Sequence, residues 1–101
     1  MAFRTKRGQA KHDQKVADWA IRLKGRGKQV LADLPGYQKP EPVYGRVPDV
    51  MLKQGGKIKV VGEVETPSSI VDDQQQISSL KHGAKQLGAD FRLKIAKKKR
   101  G

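Results

Sequence analysis

Two short apolar runs around a pair of glycines, Val47 to Leu52 and Ile58 to Val64 on either side of Gly55-Gly56, constrain this chain more than any other stretch. Runs of this length, rich in valine and isoleucine and broken by a turn signal, read as the two strands of an antiparallel hairpin. Strand side chains alternate, so Ile58, Val60, Gly62, Val64 and Thr66 fall on one face and Lys59, Val61, Glu63 and Glu65 on the other. An odd loop brings Asp49 to the Glu63 side. With Gly55, Gly56 and Lys57 in the turn, Gln54 pairs with Ile58 and Asp49 falls opposite Glu63. Opposed Cβ atoms are about 4.5 to 5.5 Å apart, and two carboxylates so placed repel each other unless a cation sits between them. Three oxygen-rich side chains on one sheet face, Asp49, Glu63 and Glu65, suit a hard divalent ion, Mg²⁺ or Mn²⁺.

Little else can be housed. At 101 residues, 36% hydrophobic with a single Trp, the chain is expected to form one domain with a modest core. The absence of Cys excludes disulfides, thiol nucleophiles and Cys-based zinc sites. The net charge of +12 is unevenly spread. Residues 1–29 hold nine basic and two acidic residues, residues 91–101 six basic and none acidic, and the span between seven basic and eight acidic. Positive ends around an acidic middle suit a polyanion held across a centre kept acidic for a metal ion. With no apolar run near the roughly 20 residues of a membrane span and no signal-peptide core, the expected location is cytoplasmic, nucleoid-associated when bound to DNA.

Along the chain, residues 1–9 carry Arg4, Lys6 and Arg7 without an apolar period and read as a basic arm. From Ala10 to Lys24, Val16, Trp19, Ala20 and Leu23 follow the helical i, i+3, i+4, i+7 template, with Trp19 on the core stripe, and Gly25-Arg26-Gly27 ends the helix. Gln29 to Leu34 alternates into a first strand stopped by Pro35-Gly36. Tyr37 to Tyr44 contains Pro40 and Pro42 and reads as a loop. With Lys39 and Arg46 beside its tyrosines, that loop has the rings and charges to contact a nucleic-acid strand, or the tyrosines cover the edge of the core.

After the hairpin, Thr66-Pro67-Ser68-Ser69 offers a helix start, with Ser69 and Asp72 at capping-box spacing. Ile70, Ile77, Leu80, Ala84 and Leu87 make the buried stripe of this second helix, and Gly88 ends it. Asp90 to Ile95 alternates Phe91, Leu93 and Ile95 with Arg92 and Lys94, a half-buried strand with a positive face. A basic tail of Lys97, Lys98, Lys99 and Arg100 follows, so a single domain over 10–96 lies between the arm 1–9 and the tail 97–101. Periodicity alone yields an α/β chain in the order αβββαβ.

Pro48-Asp49, thirteen residues, then Glu63-Val64-Glu65 at the end of an apolar strand is similar to the active-site hairpin of the PD-(D/E)XK nuclease superfamily. The element order over residues 10–97 resembles that superfamily's minimal, restriction-endonuclease-like core, a mixed four-stranded sheet flanked by helices. The sequence departs from the pattern at Glu65, where the superfamily's usual residue is lysine; a few restriction-enzyme members carry glutamate there. The resemblance implies a Mg²⁺-dependent nuclease that hydrolyses phosphodiester bonds in DNA, in preference to RNA. Asp49 and Glu63 would bind the metal, the Val64 carbonyl would add a ligand, and Glu65 would hold or activate the attacking water.

Some folds of this type add an acid from the first helix, where His12, Asp13 and Asp18 lie, and Asp33 is a further acid nearby. In some relatives a Gln or a relocated Lys on the second helix supports the site. Here these are Gln76, Gln74 and Lys81, the two glutamines flanking the stripe on opposite sides so that at most one leans toward the acids. Arg4, Lys6, Arg7, Arg26, Lys28, Lys39, Arg46 and Lys97 to Arg100 are the expected phosphate contacts. Cutting both strands with so small a domain would call for a homodimer. The alternative is a non-catalytic nucleic-acid-binding protein in which the acids are structural.

Overall fold

The structure, a computed structural model, describes residues 6–96, with side chains from Gln9 onward. Arg4, Lys97, Lys98, Lys99 and Arg100 lie outside the described residues, as do the side chains of Lys6 and Arg7. The elements are α1 (Lys6–Leu23), β1 (Lys28–Ala32), β2 (Val50–Gln54), β3 (Lys57–Glu65), α2 (Gln74–Gln86) and β4 (Asp90–Ile95). They follow the expected αβββαβ order. α1 begins at Lys6 rather than Ala10, inside the span expected to be an arm. Lys, Arg, Gln and Ala are good helix formers, and an N-terminal turn needs no apolar stripe.

The sheet is mixed, in the order β1-β2-β3-β4. β1 with β2 and β2 with β3 are antiparallel, whereas β4 joins β3 in parallel. A parallel neighbour needs a crossover, and α2 provides it. Strand alternation then sorts the core into two layers. Ala32, Val50 and Val64 pack with Val16, Trp19 and Ala20 of α1. Leu31, Met51 and Val61 pack with Leu80 and Ala84 of α2 on the other face.

The hairpin reaches the expected pairing by a different route. Its turn is only Gly55-Gly56, both with positive φ (60° and 77°), so Gln54 pairs with Lys57 and not with Ile58. Positive φ at both central residues is the demand of the tight hairpin turn, which glycine meets without strain. Lys53 then pairs with Ile58 and Leu52 with Val60, leaving Lys59 as the extra residue of a β-bulge. The bulge, instead of a longer loop, supplies the odd residue. Val50 pairs with Gly62, so the next step along the ladder still brings Asp49 to Glu63.

Other boundaries also shifted. β1 stops at Ala32, since the chain turns through Gly36 at φ 84°, yet Leu34 stays buried on the α1 side. The helical cap lies three residues earlier than the expected Ser69–Asp72 pair. Ser69 N–H donates to Thr66 Oγ1 at 3.1 Å and Thr66 N–H donates to Ser69 Oγ at 2.9 Å, the reciprocal pattern of a capping box. This box caps a run of turns, and α2 proper begins at Gln74. Leu87, expected on the buried stripe, lies past the end of α2 and is 52% exposed.

Gly62 lets α1 settle on the sheet. A Cβ at this position would stand 2.5 Å from a Trp19 ring carbon, and Trp19 is itself buried. A rigid indole cannot give way as a flexible chain end would. Gly62→Ala is therefore expected to destabilise the fold by at least the roughly 1 to 3 kcal/mol typical of overpacking, measured by urea unfolding, whereas Gly55→Ala, with open space around it, should act only through its positive φ.

Candidate active site

Asp49 lies at the head of β2, where the strand leaves its partners. Its backbone is held on both sides: Asp33 N–H donates to the Asp49 carbonyl at 2.9 Å, and Asp49 N–H donates to the Gly62 carbonyl at 3.1 Å. Its side chain turns across the end of β3, where Oδ2 accepts the Val64 N–H at 2.8 Å. The same N–H of Asp49 also reaches Glu63 Oε1 at 3.3 Å. Two carboxylates far apart in sequence thus meet as the hairpin pairing requires.

Glu63 faces α2, whose Gln76 Nε2 donates to Oε2 at 2.5 Å. Gln76 shares the sheet-facing stripe with Leu80, four residues on, while Gln74 is exposed and donates instead to the Ile70 carbonyl at 2.6 Å. Glu65 is fully buried two residues beyond Glu63 and accepts a hydrogen bond from Ser69 Oγ at 3.3 Å. Four expected side chains, Asp49, Glu63, Glu65 and Gln76, are gathered at one end of the sheet. Val64 contributes through its N–H to Asp49.

Lys81 is not among them. Five residues past Gln76 it has rotated off the sheet-facing stripe, and it is exposed, lining a separate cleft with Ser78, His82, Lys85 and Phe91. Asp18 is occupied by Gln14 Nε2 at 2.9 Å, and Asp33 pairs with Lys39 at 3.2 Å on the surface. Lys39 is thereby partly neutralised, whereas Arg26 and Lys28 stand exposed at the turn into β1. Arg46 closes a tight turn with Val43, where Tyr44 and Gly45 have φ of 51° and 77°.

From α1 it is a histidine that reaches the acids. His12 is 4% exposed, with Nε2 3.1 Å from Asp49 Oδ2 and Nδ1 3.1 Å from Asp13 Oδ1. A ring with a carboxylate oxygen at each nitrogen donates from both only as the imidazolium. Asp13 thus acts through His12, and Gln9 Nε2 donates to Asp13 at 2.7 Å. The sequence carried a signal for this: His12 precedes Val16 by four and Trp19 by seven, so it extends the buried stripe of α1.

The electrostatics separate the two central carboxyls. Burial, then the charge of Asp49 and its hydrogen bond, push the Glu63 carboxyl from 4.5 up to about 9, and the Glu65 charge adds to this. Burial works the same way on Asp49. There it is outweighed by hydrogen bonds from His12 and Glu63, the His12 charge and the Val64 N–H, which hold Asp49 below its ordinary 3.8. The pair therefore shares a proton at neutral pH, with Asp49 ionised. The way in from solvent is past Asp49, whose side chain is 14% exposed against 1% for Glu63.

Two hard oxygen donors that hold a proton between them fit a divalent cation in its place. Among the described residues no group of three or more His, Cys, Asp or Glu makes an all-protein cage. Mg²⁺ is commonly held by one or two carboxylates together with substrate phosphate, so Asp49 and Glu63 meet that pattern. No protein-family model, curated protein or solved structure matches the chain. Among the described residues, no helix is long and apolar enough to cross a membrane.

Glu63 also sets a pH dependence. Its folded value lies above its unfolded one, so the folded state holds the extra proton between about pH 4.5 and 9, and stability falls as pH rises through that window. Glu63→Gln, which imitates the protonated carboxyl, is expected to raise the thermal midpoint at pH 8 and to lose this advantage near pH 5. Parallel midpoints for the two proteins across pH 5 to 8 would contradict it.

Proposed function

We propose that this chain is a divalent-metal-dependent nuclease acting on DNA, of the PD-(D/E)XK kind. The observation that carries this is the Asp49–Glu63 pair: two acids brought together at the end of a hairpin and buried so that one keeps a proton to about pH 9. Such a pair costs the fold stability once both acids are ionised. Its arrangement is accounted for by a cation it binds.

Asp49 and Glu63 would hold the ion, Mg²⁺ or Mn²⁺. When bound, it supplies charge neutralisation at the scissile phosphate and acidifies water at neutral pH. Gln76 fixes the Glu63 carboxylate, and the Val64 N–H and His12 fix Asp49, so neither acid must reorganise when phosphate arrives. Glu65, on the same face as Glu63, takes the place of the superfamily's lysine and accepts the proton of the attacking water. Surface cations position the DNA backbone without reading bases. A homodimer would place two such sites on opposite strands.

One observation favours a second function, a non-catalytic DNA-binding protein. Asp49 already accepts hydrogen bonds from Val64 and His12, as a purely structural carboxylate would.

Single-turnover cleavage of labelled plasmid and duplex DNA in Mg²⁺, Mn²⁺ or EDTA separates the two. Wild type is expected to cut with metal and not in EDTA. Asp49→Asn should abolish cutting, and Glu65→Ala should slow it by the roughly 10² to 10⁴-fold of a lost general base, both binding DNA in EDTA as wild type does. Wild-type inactivity in every metal would leave only the binding protein.

A further inference from the structure

Two pairs of cations from opposite ends of the chain converge around Trp19. Lys15 and Arg22 are seven residues apart on α1 and so share one face of the helix. Arg92 and Lys94 alternate onto the face of the sheet against which α1 packs, because Arg92 pairs with Gly62, against which the Trp19 ring packs, and Lys94 pairs with Val64. The Lys94 ammonium sits 4.7 Å from the centroid of the Trp19 ring. Burial, then the charges of Arg22, Lys15 and Arg92, lower it from its ordinary 10.5, and these neighbouring charges are all cationic. Two acids lie among these cations: Asp90 pairs with Arg92 at 3.5 Å and partly neutralises it, and Asp18, three residues after Lys15, accepts from the neutral amide of Gln14.

We propose that Lys15, Arg22, Arg92 and Lys94 form a docking strip for the sugar-phosphate backbone of duplex DNA that leads toward Asp49 and Glu63. Direction and length both favour this. β4 runs parallel to β3, so Lys94 stands level with Val64, at the end of the sheet where the acids lie. Lys15 is one turn along α1 from His12, which touches Asp49. Seven residues of helix span about 10 Å, which at about 3.4 Å of axis per nucleotide covers roughly three phosphates of one strand. A duplex, and not an unpaired strand, fits the strip because its one aromatic ring, Trp19, is buried beneath the cations and offers no face for a base. The proposal rests on the nuclease function only for the identity of the ligand as DNA.

The test is fluorescence anisotropy of the full chain with a labelled duplex of about twenty base pairs in EDTA, from 50 to 200 mM salt. Lys15→Gln/Arg22→Gln and Arg92→Gln/Lys94→Met should each flatten the slope of log K against log salt by about two, so that wild type loses about tenfold more affinity over that range than either variant. Lys81→Gln/Lys85→Gln, in the separate cleft of α2, should leave the slope unchanged. Arg22→Gln should also raise the thermal midpoint at low salt, with the gain fading at about 1 M as repulsion is screened. No duplex binding by wild type, unchanged slopes in both strip variants, an equal loss in the α2 variant, or a lower midpoint for Arg22→Gln would each overturn the strip. Flattened slopes with no cleavage in any metal would retain the strip and remove hydrolysis alone.

Discussion

A carboxylate at the head of β2 ties the two helical layers together through the sheet. Asp49 takes one hydrogen bond from His12 of α1 and one from the Val64 N–H of β3, and its own N–H reaches Glu63, which Gln76 of α2 holds from the opposite side. The chain Asp13–His12–Asp49–Glu63–Gln76 crosses the molecule where β2 and β3 part. Hydrogen bonds to charged groups contribute about 1.5 to 3 kcal/mol each, and a buried partner left unsatisfied costs a comparable amount. The positions of α1 and α2 along the sheet therefore depend on one another through this chain, in addition to their separate apolar contacts.

The same chain explains how a strongly basic protein keeps an acidic centre. The cations occupy outer positions: the α1–β1 turn, the outer stripe of α2, and the place where Lys94 of β4 reaches over Trp19 of α1. The acids occupy the inner end of the sheet, where low exposure strengthens their mutual repulsion and raises Glu63. His12 offsets this for Asp49 alone, leaving one ionised and one protonated carboxyl. A site so divided presents an ionised carboxylate at its mouth and a protonated carboxyl behind it, within a strongly basic chain.

Much of this was legible from residue spacing. The two apolar runs around Gly55-Gly56 implied the hairpin, and Asp49 with Glu63 implied its register, which the structure keeps even though the turn is shorter and Lys59 bulges. A bulge is invisible to a pattern count because Lys59 is as acceptable outside the ladder as in it. The cap at Thr66 escapes the spacing for a related reason: Thr66–Ser69 and Ser69–Asp72 both have capping spacing, and only the path of the chain off β3 selects the first.

By itself the sequence determined the element order and the sorting of apolar residues into two faces, because each follows from a short-range period of two or of 3.6 residues, whereas the pairing of Asp49 with Glu63 also needed the bulge at Lys59. Tertiary structure alone decided which polar side chains join that pair. His12 and not Asp13 meets Asp49, Gln76 and not Lys81 meets Glu63, and Lys15 and Arg22 lie beside Arg92 and Lys94. These meetings depend on the rotation of each helix about its axis and its shift along the sheet. Both are set by contacts such as Trp19 on Gly62 and Val43 on Gly83, between residues that no local pattern relates.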